Sequence, residues 1–347
     1  GQSIYFNPGI KEVRQHILNI IGEVVHNYDI DAIHFDDYFY PYTLEGENIG
    51  DAKTYEKNKK GFLSINDWRR NNINELIRET AKFIKFTKSH VKFGVSPLAI
   101  WRNIKQDPLG SQTASAQTSY DNLYCDTKMW IDKGWVDYVV PQLYWSIKSE
   151  YTGYSKLLQW WTSHSYKGHI YIGQALYRLE DTNVKHRFSV NEVLDQIKLN
   201  RKQEAVHGNI FFRAKIFRNN PQNIQDSLQN GLYKHFALIP PMKWIDSIPP
   251  CSPIDLKLKN TGNGMFLRWK EPEAKNSEDK VAYYVVYRFK REEAIEMISA
   301  NNIISIVRQP MFFDQDIKEG QKYKYIVTAV DRLHNESEEY AMSEENY

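Results

Sequence analysis

Two periodicities alternate along the first two thirds of the chain. Over 10–27 the apolar residues Ile10, Val13, Ile17, Ile20 and Val24 recur at the three-to-four spacing of one helix face. Over 30–36 they crowd into the short run IDAIHFD, the pattern of a strand covered on both faces. The same pair of patterns then repeats. Helices are predicted near 65–88, 119–133, 151–165, 190–203 and 221–231, and strands near 91–96, 136–144, 169–175 and 208–214. Ser64-Ile65-Asn66-Asp67 gives the helix at 65–88 a capping-box-like start. Strands that alternate with helices imply a parallel sheet, here of five strands. A closed barrel of this type needs eight. The sequence opens on a loop and a helix, as though after a third strand. The expected fold over residues 1–245 is therefore an α/β, (β/α)8 TIM-barrel-type domain lacking its first strands. An open five-stranded sheet is the structural alternative, and the long stretch 43–64 is left to irregular structure.

After Pro240-Pro241 and Pro249-Pro250 the pattern changes. Residues 246–251 read as a Pro-rich linker. From 252 to 347 short strand-like runs follow at 254–259, 264–270, 281–289, 303–307 and 322–330, with charged and turn-forming residues between them. They predict a small all-β, immunoglobulin-like sandwich, with Trp269 as its core tryptophan and Tyr323 as its tyrosine corner. No candidate chemistry falls there.

Charge narrows the partners. With 45 basic and 43 acidic residues the net charge is +2, which gives no electrostatic case for nucleic acid or an anionic membrane surface. No apolar run approaches the ~20 residues of a membrane span. Cys125 and Cys251 fall in different predicted domains, so neither a disulfide framework nor a cysteine-ligated zinc site is expected. The histidines are scattered and no HExxH motif occurs, so no metal or other cofactor is expected. Acyl and phosphoryl transfer lose their usual supports, since neither GxSxG nor GxxxxGK[ST] is present. Aromatic residues make up 14% of the chain, with 23 Tyr and 9 Trp, a composition that serves sugar-binding surfaces and cores alike.

The candidate chemistry gathers at strand ends. YDIDAIHFDDYFYPY at 28–42 is an apolar run that stops in two carboxylates and then tyrosines. In a barrel, polar residues at the carboxyl end of a strand face the active site. His34, Asp36 and Tyr38 form the candidate inward row, because side chains alternate along a strand. Asp36 and Asp37 are the candidate catalytic carboxylates. Their alternative use is to cap the following loop or to pair with an arginine. Adjacent strand residues point to opposite faces, so the two make a catalytic pair only if the strand has already ended; otherwise the second carboxylate lies in the missing segment or among Glu45, Glu47 and Asp51. Candidate substrate-binding residues are His34, Tyr38, Tyr40, Trp101, Arg102, Gln142, Tyr144, Trp145 and Gln174. Gln142 sits in VVPQLYW, where an amide is costly to bury unpaired. For Trp101, Tyr144 and Trp145, ordinary packing is the competing use. Ser96, Tyr177 and Arg213 belong to the same predicted rim.

Several long segments carry a resemblance: FNPGIKEVR at 6–14, YDIDAIHFDDYFYPY at 28–42, DWRRNNIN at 67–74, KFGVSPLAIWRN at 92–103, SYDNLYCDTKMWIDKGWVDYVVPQLYWS at 119–146 and FALIPPM at 236–242. Over about residues 3–245 the chain resembles the glycosyl-hydrolase-like family 10, formerly a domain of unknown function. The resemblance implies a (β/α)8 fold and hydrolysis of glycosidic bonds in N-acetylated cell-wall polysaccharide, with peptidoglycan glycan strands as the expected partner. A non-catalytic glycan-binding protein is the alternative. It also implies a bacterial periplasmic, cell-envelope or secreted location, and it puts a catalytic carboxylate in the HFDDY segment, Asp36 before Asp37. DAIHFDDY is similar to the DGxDxDxE strand of chitinase-like enzymes, but Tyr38 stands where that pattern has its acid glutamate, which leaves the general acid unassigned. Residues 252–347 are similar to fibronectin type III modules.

Overall fold

The computed structural model describes residues 4–42, 48–149, 152–164, 166–274, 276, 279–297 and 299–344. The first amphipathic stretch forms α1 (Lys11–Asn27), which turns Leu18, Ile21 and Val25 inward. β1 (Ala32–Phe35) follows, and α2 (Ala52–Asn58) occupies part of the stretch that the pattern left irregular. α3 (Ile65–Thr87) begins at Ser64, whose hydroxyl accepts from the Asp67 N–H at 3.4 Å and so satisfies one of the open donors of the first turn. β2 (Lys92–Val95), α4 (Ser119–Asn122), α5 (Thr127–Asp132), β3 (Tyr138–Val139), α6 (Tyr154–Thr162), β4 (His169–Gln174), α7 (Val190–Arg201), β5 (Val206–Phe211) and α8 (Ala214–Asn219) complete the order.

Two helices differ from expectation for local reasons. The one predicted over 119–133 is split, because Tyr124 takes a left-handed φ of 56° and Asp126 then starts a new helix by accepting from the Met129 N–H at 3.3 Å. The one predicted over 221–231 is broken into short pieces, with Gln222 and Asn223 at φ 53° and 57°.

The five strands make one parallel sheet in the order β1-β2-β3-β4-β5, so each neighbour in sequence is a neighbour in space. His34 lies beside Gly94, Gly94 beside Tyr138, and Tyr138 beside His169. The two faces differ sharply in chemistry. Phe93, Val95, Val139, Ile170 and Ile172 pack with Ile21 and Val25 of α1, Ile73, Ile77 and Ile84 of α3, Trp130 of α5 and Leu157 of α6 in one core. Residues of the opposite parity turn polar and aromatic groups the other way: the His34 and Tyr138 rings stack at 5.6 Å, and Tyr138 meets Tyr171 edge-on at 5.7 Å. Gly94 is glycine because that row is crowded. A Cβ there would lie 2.2 Å from the Tyr138 ring.

Contacts divide the chain into two units, Gly1–Ser227 and Leu228–Tyr347. In the second, β6 (Ile254–Asn260), β7 (Met265–Lys270), β8 (Val281–Lys290), β9 (Ile303–Val307), β10 (Met311–Asp314), β11 (Tyr323–Asp331) and β12 (Ala341–Glu344) form two antiparallel sheets, β10-β7-β6 and β12-β11-β8-β9. Leu267 and Trp269 of the first sheet and Tyr284, Val286, Tyr325 and Val327 of the second share one core, so the sheets pack face to face. Tyr323 is buried, and its phenol oxygen accepts from the Lys318 N–H at 3.4 Å, reaching back along the chain as a tyrosine corner does. β10 and β12 escaped the sequence pattern, being four residues each and only partly buried.

Candidate active site

Asp36 and Asp37 come together because the strand stops early. β1 ends at Phe35, and the Phe39 N–H then turns back to the Asp37 carbonyl at 2.8 Å. The alternation that would have sent the two carboxylates to opposite faces is lost. Both line one cavity of about 710 Å³ with His34, Tyr38, Tyr42, Gln142 and Tyr144. Ser96, Tyr177, Phe212 and Arg213 close its other walls. These residues sit at or just past the carboxyl ends of β1 to β5, so one rim of the sheet supplies the whole hollow. Asp36 and Tyr38, with His34, also border a second hollow of about 470 Å³ against Tyr5 and Phe6.

The two carboxylates have different surroundings. Asp36 faces solvent; its Oδ1 accepts from Gln142 Nε2 at 3.0 Å and from the Asp37 N–H at 2.9 Å. Gln142 is held in place by a second bond from Nε2 to the Ser96 carbonyl at 2.9 Å. Asp37 is 3% exposed and accepts a short hydrogen bond from the Tyr42 hydroxyl. Burial pushes the Asp37 carboxyl up to about 6, and the neighbouring Asp36 charge adds to the rise while the Tyr42 bond opposes it. His34 bonds Ser96 Oγ through Nε2 at 2.6 Å and the Tyr138 hydroxyl through Nδ1 at 3.1 Å. Burial lowers its pKa and Asp36 works against that shift.

Other expected site residues lie elsewhere. Tyr40 is 2% exposed, set edge-on to Tyr124 at 4.9 Å. Trp101 is buried against Trp160, with its indole N–H donating to Asp126 Oδ1 at 3.3 Å. Arg102 is held by Asp107 and Asp121, each at 3.0 Å, and braces its own loop. Gln174 turns to the helix side of the sheet, where its Nε2 donates to Gln196 on α7 at 3.1 Å. Trp145 borders a third hollow that shares Tyr144 with the cleft. Asp51 is not a free carboxylate: it is buried in a two-point ion pair with Arg69. Glu45 and Glu47 lie outside the described residues. Among the described residues no group of three His, Cys, Asp or Glu is placed to hold a metal ion, and no helix is long and apolar enough to cross a membrane.

Tyr42, Phe212 and Tyr138 are cleft residues, or partners of cleft residues, that sequence reasoning misses. Tyr42 carries a readable signal, since it follows the strand predicted over 30–36, and Phe212 falls near the carboxyl end of the strand predicted over 208–214. Tyr138 carries none without the register that sets it beside His34.

Paired carboxylates in an aromatic-walled cleft, at the carboxyl rim of a parallel α/β sheet, are the arrangement of glycosidase-type proteins. The family comparison agrees. Residues 1–189 match glycosyl hydrolase-like 10, and the chain belongs to that family. It is 40% identical over 340 residues to glycosyl hydrolase YngK of Bacillus subtilis, covering 97% of this chain and 66% of that protein. To glycosyl hydrolase DigH of Escherichia coli it is 38% identical over 232 residues, covering 65% of this chain and 52% of that one. The chain thus spans between half and two thirds of the length of these relatives. Among solved structures, an Fn3-like protein from Clostridium thermocellum is matched over 27% of this chain and 90% of its own, at 22% identity and a TM-score of 0.21, a likeness too slight to carry an argument.

Proposed function

We propose that the protein hydrolyses glycosidic bonds in an N-acetylated cell-wall polysaccharide, with peptidoglycan glycan strands as the substrate. The observation that carries this reading is the contrast between Asp36, open to the cleft and oriented by Gln142, and Asp37, buried beside it with a raised pKa. Neighbouring carboxylates whose environments pull their protonation apart are how glycosidases divide acid and base work. Asp36 acts on the sugar, as nucleophile or as the charge that stabilises a cationic intermediate. Asp37, its carboxyl raised to about 6, shares its site with a proton that an ordinary aspartate has lost at that pH. Tyr38, Tyr144 and Tyr177 offer ring faces to sugar units. In this reading the five-stranded sheet, helices against one face and polar rings on the other, is an arc of a (β/α)8 barrel, and the β-sandwich is a fibronectin type III-like module. The protein then works outside the cytoplasm, which fractionation of the source cells tests.

A non-catalytic glycan-binding protein is the second reading. It is favoured by one observation: Asp37 is buried and bonded to Tyr42, so among the described residues lining the cavity Asp36 is the only carboxylate open to a ligand. Purified glycan strands freed of peptide separate the two. Hydrolysis predicts new reducing ends in proportion to enzyme and time. Saturable binding without any new reducing end rejects the hydrolase.

A further inference from the structure

Next to the acidic cleft lies a hollow of opposite charge, about 470 Å³ in volume. Its wall starts at Tyr144 and Trp145 and continues through Lys148, Arg178, Lys185 and Arg187; among the described residues these four cations outnumber Glu192, the one carboxylate in the lining, and Asp181, which pairs with Arg178. Glu192 is already served by neutral donors: Ser146 Oγ at 3.1 Å, the Ile147 N–H at 2.7 Å and Gln196 Nε2 at 3.0 Å. Arg178 is fixed in the wall, its Nε donating to the Tyr144 carbonyl at 3.0 Å and its Nη1 lying 3.6 Å from Asp181. Arg187 is steadied by a bond from Nε to the Asp181 carbonyl at 2.6 Å. Among the described residues no carboxylate pairs with Lys148, Lys185 or Arg187. Like charges gathered around a concavity repel one another, and the concavity focuses their field on whatever enters it. An anion relieves that repulsion.

Tyr144 belongs to both hollows, so a chain lying past Asp36 crosses its ring into the cationic one. We propose that this hollow is an anion subsite of the glycan cleft, taking a carboxylate or phosphate carried on a sugar unit neighbouring the one at Asp36. The inference rests on the glycan reading above and deepens it: the substrate is an acidic polysaccharide. Trp145 offers a ring face to the sugar, and Lys148, Lys185 and Arg187 meet its acidic substituent. Such contacts at a surface hollow weaken as salt rises.

Calorimetric binding to the full-length protein tests this with three forms of one probe: peptide-free glycan strands with free carboxylates, the same strands amidated, and strands bearing a phosphomonoester instead. The expected result is roughly two- to fivefold tighter binding of an acidic form than of the amidated one at low salt, a gap that shrinks in high salt and in the double variant Lys185→Gln, Arg187→Gln. Whichever acidic form binds more tightly identifies the anion. Equal affinity for all three forms overturns the subsite, as does a gap that persists in the double variant. If that variant does not fold, Lys148→Gln carries the same expectation. Failure of the hydrolase reading is distinct: strands bound with the acidic preference but never cut keep the subsite, whereas strands cut equally in all forms keep the hydrolase and remove the subsite.

Discussion

Asp37 is an acid that the fold keeps partly protonated up to about pH 6. Its carboxyl, about 6 when folded, returns to the ordinary value of 3.8 when the chain unfolds. The folded state therefore binds more protons between these values, and stability falls as pH rises from about 4 to 6. Asp37→Asn removes this slope. Urea titrations across pH 4 to 7 are expected to show the variant gaining on the parent up to about pH 6 and level beyond, by at most about 3 kcal/mol. His169 has the opposite sign. Burial, with His207 stacked on it at 3.7 Å and Lys92 nearby, pushes it down to about 3 from 6.5, so its contribution is complete above 6.5 and is lost as pH falls toward 3. A histidine titration followed by NMR checks this: the His169 resonance is expected not to move between pH 8 and 5. His34, Asp36, Asp37, Tyr38, Gln142 and Tyr144 were legible in the sequence as rim residues because each ends or follows an apolar strand, and they line one cleft. Tyr40, Trp101, Arg102 and Gln174 have the same address in sequence but pack elsewhere. What decides between them is the side to which a turn or a strand parity directs the side chain, and the sequence does not record where β1 stops.

At the scale of elements, the sheet explains how a histidine row is kept in order. Tyr138 lies over Gly94 and bonds His34, so β1, β2 and β3 are tied through one ring. Gly94→Ala drives a methyl group into that buried ring. The expected cost is about 1–3 kcal/mol, the range for overpacking, and Tyr138→Leu in the same chain is expected to return part of it, a coupling that a double-mutant cycle measures. All five strand segments and the long helices α1, α3 and α7 were legible, since their apolar spacing is sustained and Ser64 and Ser189 cap two of them. The split between α4 and α5 was not. It depends on one left-handed residue, Tyr124, in a segment whose apolar spacing alone continues as a helix.

At the scale of the whole molecule, each unit carries its own core, one between helices and sheet and one between two sheets. A unit with its own core is in principle able to fold alone. A fragment beginning at Leu228 is expected to unfold in a single cooperative transition with native-like near-UV signal from Trp269; a fragment without cooperative unfolding contradicts that independence. The change of pattern after the paired prolines made the sandwich legible, while β10 and β12 were too short and too exposed to stand out. The first unit places its chemistry on one rim, where Asp36 is proposed to act on a glycan. The most direct measurement is the rate of reducing-end release from peptide-free glycan strands by the full-length protein and its Asp36→Asn variant, with glycan binding measured in parallel. A fall in kcat of about a hundredfold or more is expected, with binding retained. Equal rates in parent and variant contradict it.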